Sequence, residues 1–195
     1  NGLGIQHIYP ANAITPDSKQ RELRIARNTI DEMQRWQDMN TSSSFFVAAV
    51  RVGYDPQKIL DELHKYALHT FPNGFQLDNP HGIENSCTVT NTLNEMVCMS
   101  VGHVIRLFGN FPPGRNASFK NIRTWEAFLI SAKHMDGKVA DVSITSERGK
   151  PCTIVNPWPG RKVQLTRNGV KDRVVAGERF SFTTGVGEVI RLNPL

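Results

Sequence analysis

Cysteine is scarce. Cys87, Cys98 and Cys152 are the only three in 195 residues, with no CxxC pair and no Cys/His zinc spacing. An odd number excludes a fully paired disulfide scaffold, and buried structural thiols are the expectation. A nucleophilic cysteine would need a base that the sequence does not point to. Long apolar runs are missing too, since none approaches the roughly 18 residues a spanning helix needs. No phosphate loop, GxGxxG, GxSxG or HExxH occurs, so nucleotide enzymes, serine hydrolases and zincins lose their usual support. There is no internal repeat of solenoid length. The opening Asn1-Gly2-Leu3-Gly4 has neither a charged leader nor an apolar core, so any export signal is expected to be removed or upstream.

What is present is an ordinary globular composition, 39% hydrophobic and 21% charged, enough for one domain or two small ones. The net charge of +5 is unevenly spread. Residues 1–105 hold 8 Lys/Arg against 11 Asp/Glu, net −3, and residues 106–195 hold 15 against 7, net +8. A shift this sharp suggests two physically different units, split as 1–105 and 106–195. The basic half could favour a polyanion, but its Lys and Arg are interspersed among strand-like residues, as on a solvated face.

The acidic half reads as helical. Thr15-Pro16-Asp17 offers a cap followed by proline, and Leu23, Ala26, Ile30, Met33 and Trp36 recur at three- and four-residue steps. Phe45 to Val50 is apolar on every side, a short buried helix. Asp55-Pro56 repeats the cap-plus-proline signal ahead of Ile59, Leu60, Leu63, Tyr66 and Ala67. A last helix is expected from about Thr90 to Val101, with Leu93, Met96 and Val97 inward. The longest irregular stretch, Phe71 to Asn85, collects Gln76, Asp78, Asn79, His81, Glu84 and Asn85. Loops of that length are often functional, and carboxylates beside amides suit sugar hydrolysis, although loop Asp and Asn more often cap helices or close turns.

The basic half changes period. Phe128–His134 and Lys138–Ile144 flank Asp136-Gly137, and Asn168-Gly169 is a second hairpin signal. Further strands read at Cys152–Val155, Lys162–Thr166, Arg179–Thr183 and Glu188–Leu192, which argues for an antiparallel sandwich or open sheet. Trp125, Phe128, Trp158, Phe180 and Phe182 fall in strand-core rhythm, and that counts against a nucleic-acid stacking platform.

Gly74-Phe75-Gln76-Leu77-Asp78-Asn79 and the helix Asn94-Glu95-Met96-Val97-Cys98-Met99-Ser100 resemble the C-terminal catalytic signature of glycoside hydrolase family 95. Arg106–Pro112, Arg123–Ile130 and Asn156-Pro157-Trp158-Pro159-Gly160 extend the resemblance over most of the chain. That family comprises inverting α-L-fucosidases and α-L-galactosidases, six-hairpin glycosidases with an (α/α)6 barrel followed by a β-sandwich. The resemblance implies an α+β multidomain chain, with residues 1–105 the last hairpins of a catalytic barrel and 106–195 the antiparallel sandwich. It implies a bacterial enzyme fragment, periplasmic or extracellular in its parent, acting on terminal sugars of glycans without a cofactor or metal.

By the same resemblance Asp78 is the general base and Glu84 the reserve carboxylate. Gln76 would face the sugar or hold the loop, Asn79 and His81 would bind the sugar, Glu95 would brace the loop, and the general acid would lie upstream. His7 could line a sugar subsite or sit in the core or at a cap, and Trp36 could stack on a sugar or belong to the core. About four helices cannot close a barrel. Phe45, Phe46, Val47 and Val50 are then expected to leave an apolar patch, covered by self-association or by the upstream part of the enzyme. The alternative is a non-catalytic carbohydrate-binding or scaffold module in which the sandwich does the work. A basic nucleic-acid binder is the third class.

Overall fold

The computed structural model describes residues 3–195, so Asn1 and Gly2 of the opening stretch lie outside the described residues. The chain divides into two compact units, one ending at Met96 and one beginning at Val97. That boundary lies nine residues ahead of the expected 105/106 split, and because no Asp, Glu, Lys or Arg lies between 97 and 105 the two units carry the same net −3 and +8 as the two halves.

The first unit holds a single 3-10 turn at Leu3–Ile5 and five helices: α1 (Gln20–Met33), α2 (Ser42–Arg51), α3 (Pro56–Leu68), α4 (Ile83–Ser86) and α5 (Thr88–Val97). Asp55 caps α3 by accepting from the N–H groups of Gln57 and Lys58 at 2.9 and 3.1 Å, with Pro56 at the first helical position. The Thr15-Pro16-Asp17 signal instead closes a turn, in which Ser18 N–H donates to the Thr15 carbonyl at 2.9 Å. Helix α1 therefore starts later, with Glu22 accepting from Lys19 N–H at 3.1 Å. Gln34, left-handed at φ 46°, ends it. Trp36 then reaches back into the core, its ring 4.8 Å from Phe45, 5.1 Å from Phe46 and 5.6 Å from Tyr54.

Helix α2 settles the architecture. Phe45, Phe46, Val47, Ala48 and Ala49 are fully buried and Val50 nearly so. The helix meets α1, α3, α4 and the Leu3–Ile5 turn, so neighbours cover it on every side. A barrel wall would present one helix face to a central funnel and another to solvent; here the most apolar helix is the axis of a small closed core. The expected partial (α/α)6 barrel is therefore wrong, as is the expected open patch on Phe45, Phe46, Val47 and Val50. The fold is mixed α+β, five short helices followed by sheets.

The second unit builds two sheets from ten strands. Strands β1 (Cys98–Val101), β2 (Val104–Leu107), β6 (Cys152–Val155) and β9 (Arg179–Phe182) form one, in the order β1-β2-β6-β9, with β2 and β6 parallel. Strands β3 (Ala117–Arg123), β4 (Phe128–Met135), β5 (Lys138–Ser146), β7 (Val163–Arg167), β8 (Val170–Val175) and β10 (Glu188–Pro194) form the other, ordered β3-β4-β5-β10-β7-β8 and antiparallel throughout. One apolar core joins both: Ile105, Leu107, Ile154, Phe180 and Phe182 from the first sheet meet Phe128, Ile130, Ile144, Leu165 and Ile190 from the second. Alternate residues of β4 fill it (Phe128, Ile130, Ala132, His134), leaving Leu129, Ser131, Lys133 and Met135 on the opposite face.

The expected helix to Val101 is corrected here. Helix α5 stops at Val97, and Cys98–Val101 pairs with Val104–Leu107 through a Gly102-His103 turn whose two residues both have positive φ, 60° and 61°. That is the twist a tight hairpin needs. Leu93, expected inward, is exposed.

Candidate functional site

The Phe71–Asn85 loop spends most of its polar groups on holding itself together. Gln76 is fully buried and its Nε2 donates to the Gln37 carbonyl at 3.0 Å. Asn79 Nδ2 donates to the Met39 carbonyl at 2.8 Å and to Asn40 Oδ1 at 3.2 Å, while Asn85 Nδ2 also reaches the Met39 carbonyl. Ser42 Oγ donates to Asn85 Oδ1 at 3.2 Å, and Tyr66 Oη donates to the Asn85 carbonyl at 3.1 Å. These amides fasten the loop to the α1–α2 connection by donating to its backbone carbonyls.

Asp78 points the other way. Its side chain is 57% exposed and its Oδ2 lies 2.9 Å from His69 Nε2. His81, Glu84 and His7 are exposed as well. Glu95, expected to brace the loop, instead takes Arg51 in a two-pronged pair at 2.8 and 3.1 Å, with the Arg51 guanidinium 4.7 Å from the Tyr9 ring. The group beside Asp78 is a histidine on an open surface; the family 95 resemblance puts the second carboxyl of an inverting pair upstream of this chain. Among the described residues no group of three His, Cys, Asp or Glu could hold a metal ion.

Cysteine chemistry fares no better. Cys98 and Cys152 are buried, and burial pushes the Cys152 thiol up to about 12, far from a reactive thiolate. Cys87 is exposed, against the expectation of a buried thiol.

Two features of the β unit were not foreseen. The first is Trp125, expected in the core and in fact 59% exposed. A lone exposed apolar residue is ordinary; the backbone that holds this one is not. Glu126 and Ala127 follow at φ 62° and 60°, two successive left-handed residues without glycine, each costing about 1 kcal/mol or more. The segment is pinned by Thr124 N–H donating to the Phe128 carbonyl at 2.9 Å, Glu147 N–H donating to the Ala127 carbonyl at 3.0 Å, and Trp125 N–H donating to Ser100 Oγ at 3.3 Å. The His103 ring, on the left-handed corner of the β1–β2 turn, lies 5.5 Å from the indole at 59°. Its Nδ1 is 2.9 Å from Glu126 Oε1. An aromatic face, an imidazole and a carboxylate thus stand together in solvent.

The second is a groove across β3, β4 and β5. Two overlapping hollows of about 480 and 380 Å³ share Ser118, Lys133 and Asp141. Both neighbours of β4 bulge toward its middle. Between Phe119 and Ile122, β3 has one residue more than β4, and β5 has one more between Ala140 and Ser143. Asn121 and Asp141, at φ 57° and 53°, take the left-handed positions. The second bulge brings the Asp141 carboxylate to 2.7 Å from Lys133 Nζ.

No protein-family model matches the chain. No curated protein matches it either. Among solved structures, a GH127 β-L-arabinofuranosidase from Geobacillus stearothermophilus T6 aligns with 87% of this chain and 30% of its own, at 11% identity and a TM-score of 0.34. The chain spans under a third of that structure, and a likeness so slight assigns neither fold nor activity. The family 95 resemblance is overturned: no family model supports it, and the helical unit is not a six-hairpin barrel. The fucosidase-like activity falls with it, and Asp78 stands as an exposed carboxylate beside His69. Among the described residues no helix is long and apolar enough to cross a membrane.

Proposed function

We propose that the unit from Val97 on is a non-catalytic carbohydrate-binding module. Trp125 carries the reading: a solvent-facing indole followed by two left-handed residues whose backbone is pinned by hydrogen bonds. The C–H face of a sugar ring is apolar and its rim is hydroxyl, and an exposed aromatic beside a donor and an acceptor matches both. His103 and Glu126 are those groups, 2.9 Å apart and already oriented. Holding them in advance lowers the ordering cost of binding. The left-handed residues are strain kept at one exposed spot, as at a ligand clamp.

The test is affinity electrophoresis through gels cast with soluble neutral glycans. The native chain is slowed by at least one glycan, and Trp125→Ala migrates freely while keeping its circular dichroism spectrum, since an exposed ring contributes little to folding. Equal retardation of both proteins, or none in any glycan, removes the proposal.

A further inference from the structure

We infer that the groove over β3, β4 and β5 is a second binding site, separate from the Trp125 platform, that takes the carboxylate of an acidic saccharide. The inference rests on the carbohydrate-binding reading and adds a substrate class to it. The groove is built by the fold: two bulges, on strands either side of β4, both open toward Ser131 and Ala132. Bulges re-aim side chains, and Asn and Asp are among the few residues that accept the left-handed position they need. A volume of about 480 Å³ suits a sugar unit or two rather than a nucleic-acid duplex.

The charges give the class. Lys120 lines the groove and has no hydrogen bond or ion pair among the described residues. Lys133 lines it and is held by Asp141. Arg191 stands opposite Ser143, itself opposite Ser131, and is close enough to act on Asp141. Two cations therefore act on one carboxylate, and Lys120 lines the same groove with no partner of its own among the described residues. The Lys133 hydrogen bond and charge, with a smaller part from Arg191, hold the Asp141 carboxyl below its ordinary value against a slight desolvation, so it stays ionised at neutral pH. Asp141 occupies the place on Lys133 that an incoming carboxylate would take. Ser118 adds a hydroxyl on the groove wall for the rest of the ring, while Ser131 Oγ accepts from Asn121 N–H at 3.0 Å and holds the β3 bulge.

The geometry sets opposite signs for two substitutions. Lys133→Met removes the cation and weakens binding of an oligogalacturonate about tenfold. Asp141→Asn removes the competing carboxylate and strengthens binding several-fold, and asparagine keeps the left-handed backbone. Calorimetric titration of the full chain with hexagalacturonate, a neutral xylo-oligosaccharide and a single-stranded RNA of matched charge reads both. Expected is hexagalacturonate binding that weakens with salt, shifts in those two directions, and survives Trp125→Ala. Loss of all binding in Trp125→Ala, or a weakening by Asp141→Asn, overturns the second site. Equal affinity for hexagalacturonate and RNA makes the groove a general polyanion surface and overturns the saccharide assignment. Binding of the neutral sugar with none of the acidic one overturns this inference while leaving the Trp125 module standing. Absence of binding by either sugar overturns this inference, while the Trp125 reading is decided by the neutral-glycan gels.

Discussion

Arg167 is the most heavily engaged cation of the β unit. Its Nε donates to Asp172 Oδ2 at 2.7 Å, Nη1 to Glu188 Oε2 at 2.8 Å and Nη2 to the Thr183 carbonyl at 2.9 Å. Glu188 Oε2 also accepts from Gly185 N–H at 2.8 Å. Burial alone would raise the Glu188 carboxyl, but the Arg167 hydrogen bond, the Gly185 N–H and the Arg167 charge outweigh it and hold the value below the usual 4.5. A carboxyl depressed in the folded state stabilises fully above its unfolded pKa. That contribution is lost as pH falls from about 4.5 through the folded value. Glu188→Gln should cost about 1–2 kcal/mol at pH 7 and much less well below the folded value, read as converging urea midpoints on acidification. A constant difference at every pH would contradict the role given to ionised Glu188. Strand rhythm read back from Phe128 puts Trp125 in the core, and nothing in Glu126-Ala127 announces two left-handed residues that turn the indole outward.

At the scale of elements, the strongest local signals were reliable. Asp136-Gly137 and Asn168-Gly169 turn β4 into β5 and β7 into β8 with positive φ at all four residues. Asp55 caps α3 as its sequence suggests, and Asp55→Ala should lower stability by about 1 kcal/mol, seen in the urea midpoint with an unchanged slope. What escaped has physical causes. Strand β3 is bulged, which breaks its alternation, and β8 is an edge strand with five exposed residues and no apolar face to read. Strands β1 and β2 follow α5 without a break in hydrophobicity, so the helix seemed to continue. The loop at Phe71–Asn85 was legible as polar and irregular, but not its partners. Gln76, Asn79 and Asn85 serve the backbone of Gln37 and Met39, about forty residues earlier, and no local pattern reveals that.

At the scale of the whole molecule, the sequence separates an acidic helical unit from a basic β unit, and the contact boundary at Met96/Val97 falls within an uncharged stretch. Self-sufficiency of the helical core was not legible. It depends on α2 being covered on all sides, whereas the sequence shows only that α2 is apolar. A closed core removes the need for an upstream barrel to cover Phe45 and Phe46, and the functional weight moves to the β unit and its Trp125. Amide chemical-shift mapping by NMR during titration with a retained glycan tests that claim most directly. The account predicts that the shifting resonances cluster at His103 and at Thr124 to Ala127, with the Trp125 indole N–H among the largest. Shifts centred instead on Gln76 to Glu84, with Trp125 unmoved, would contradict it.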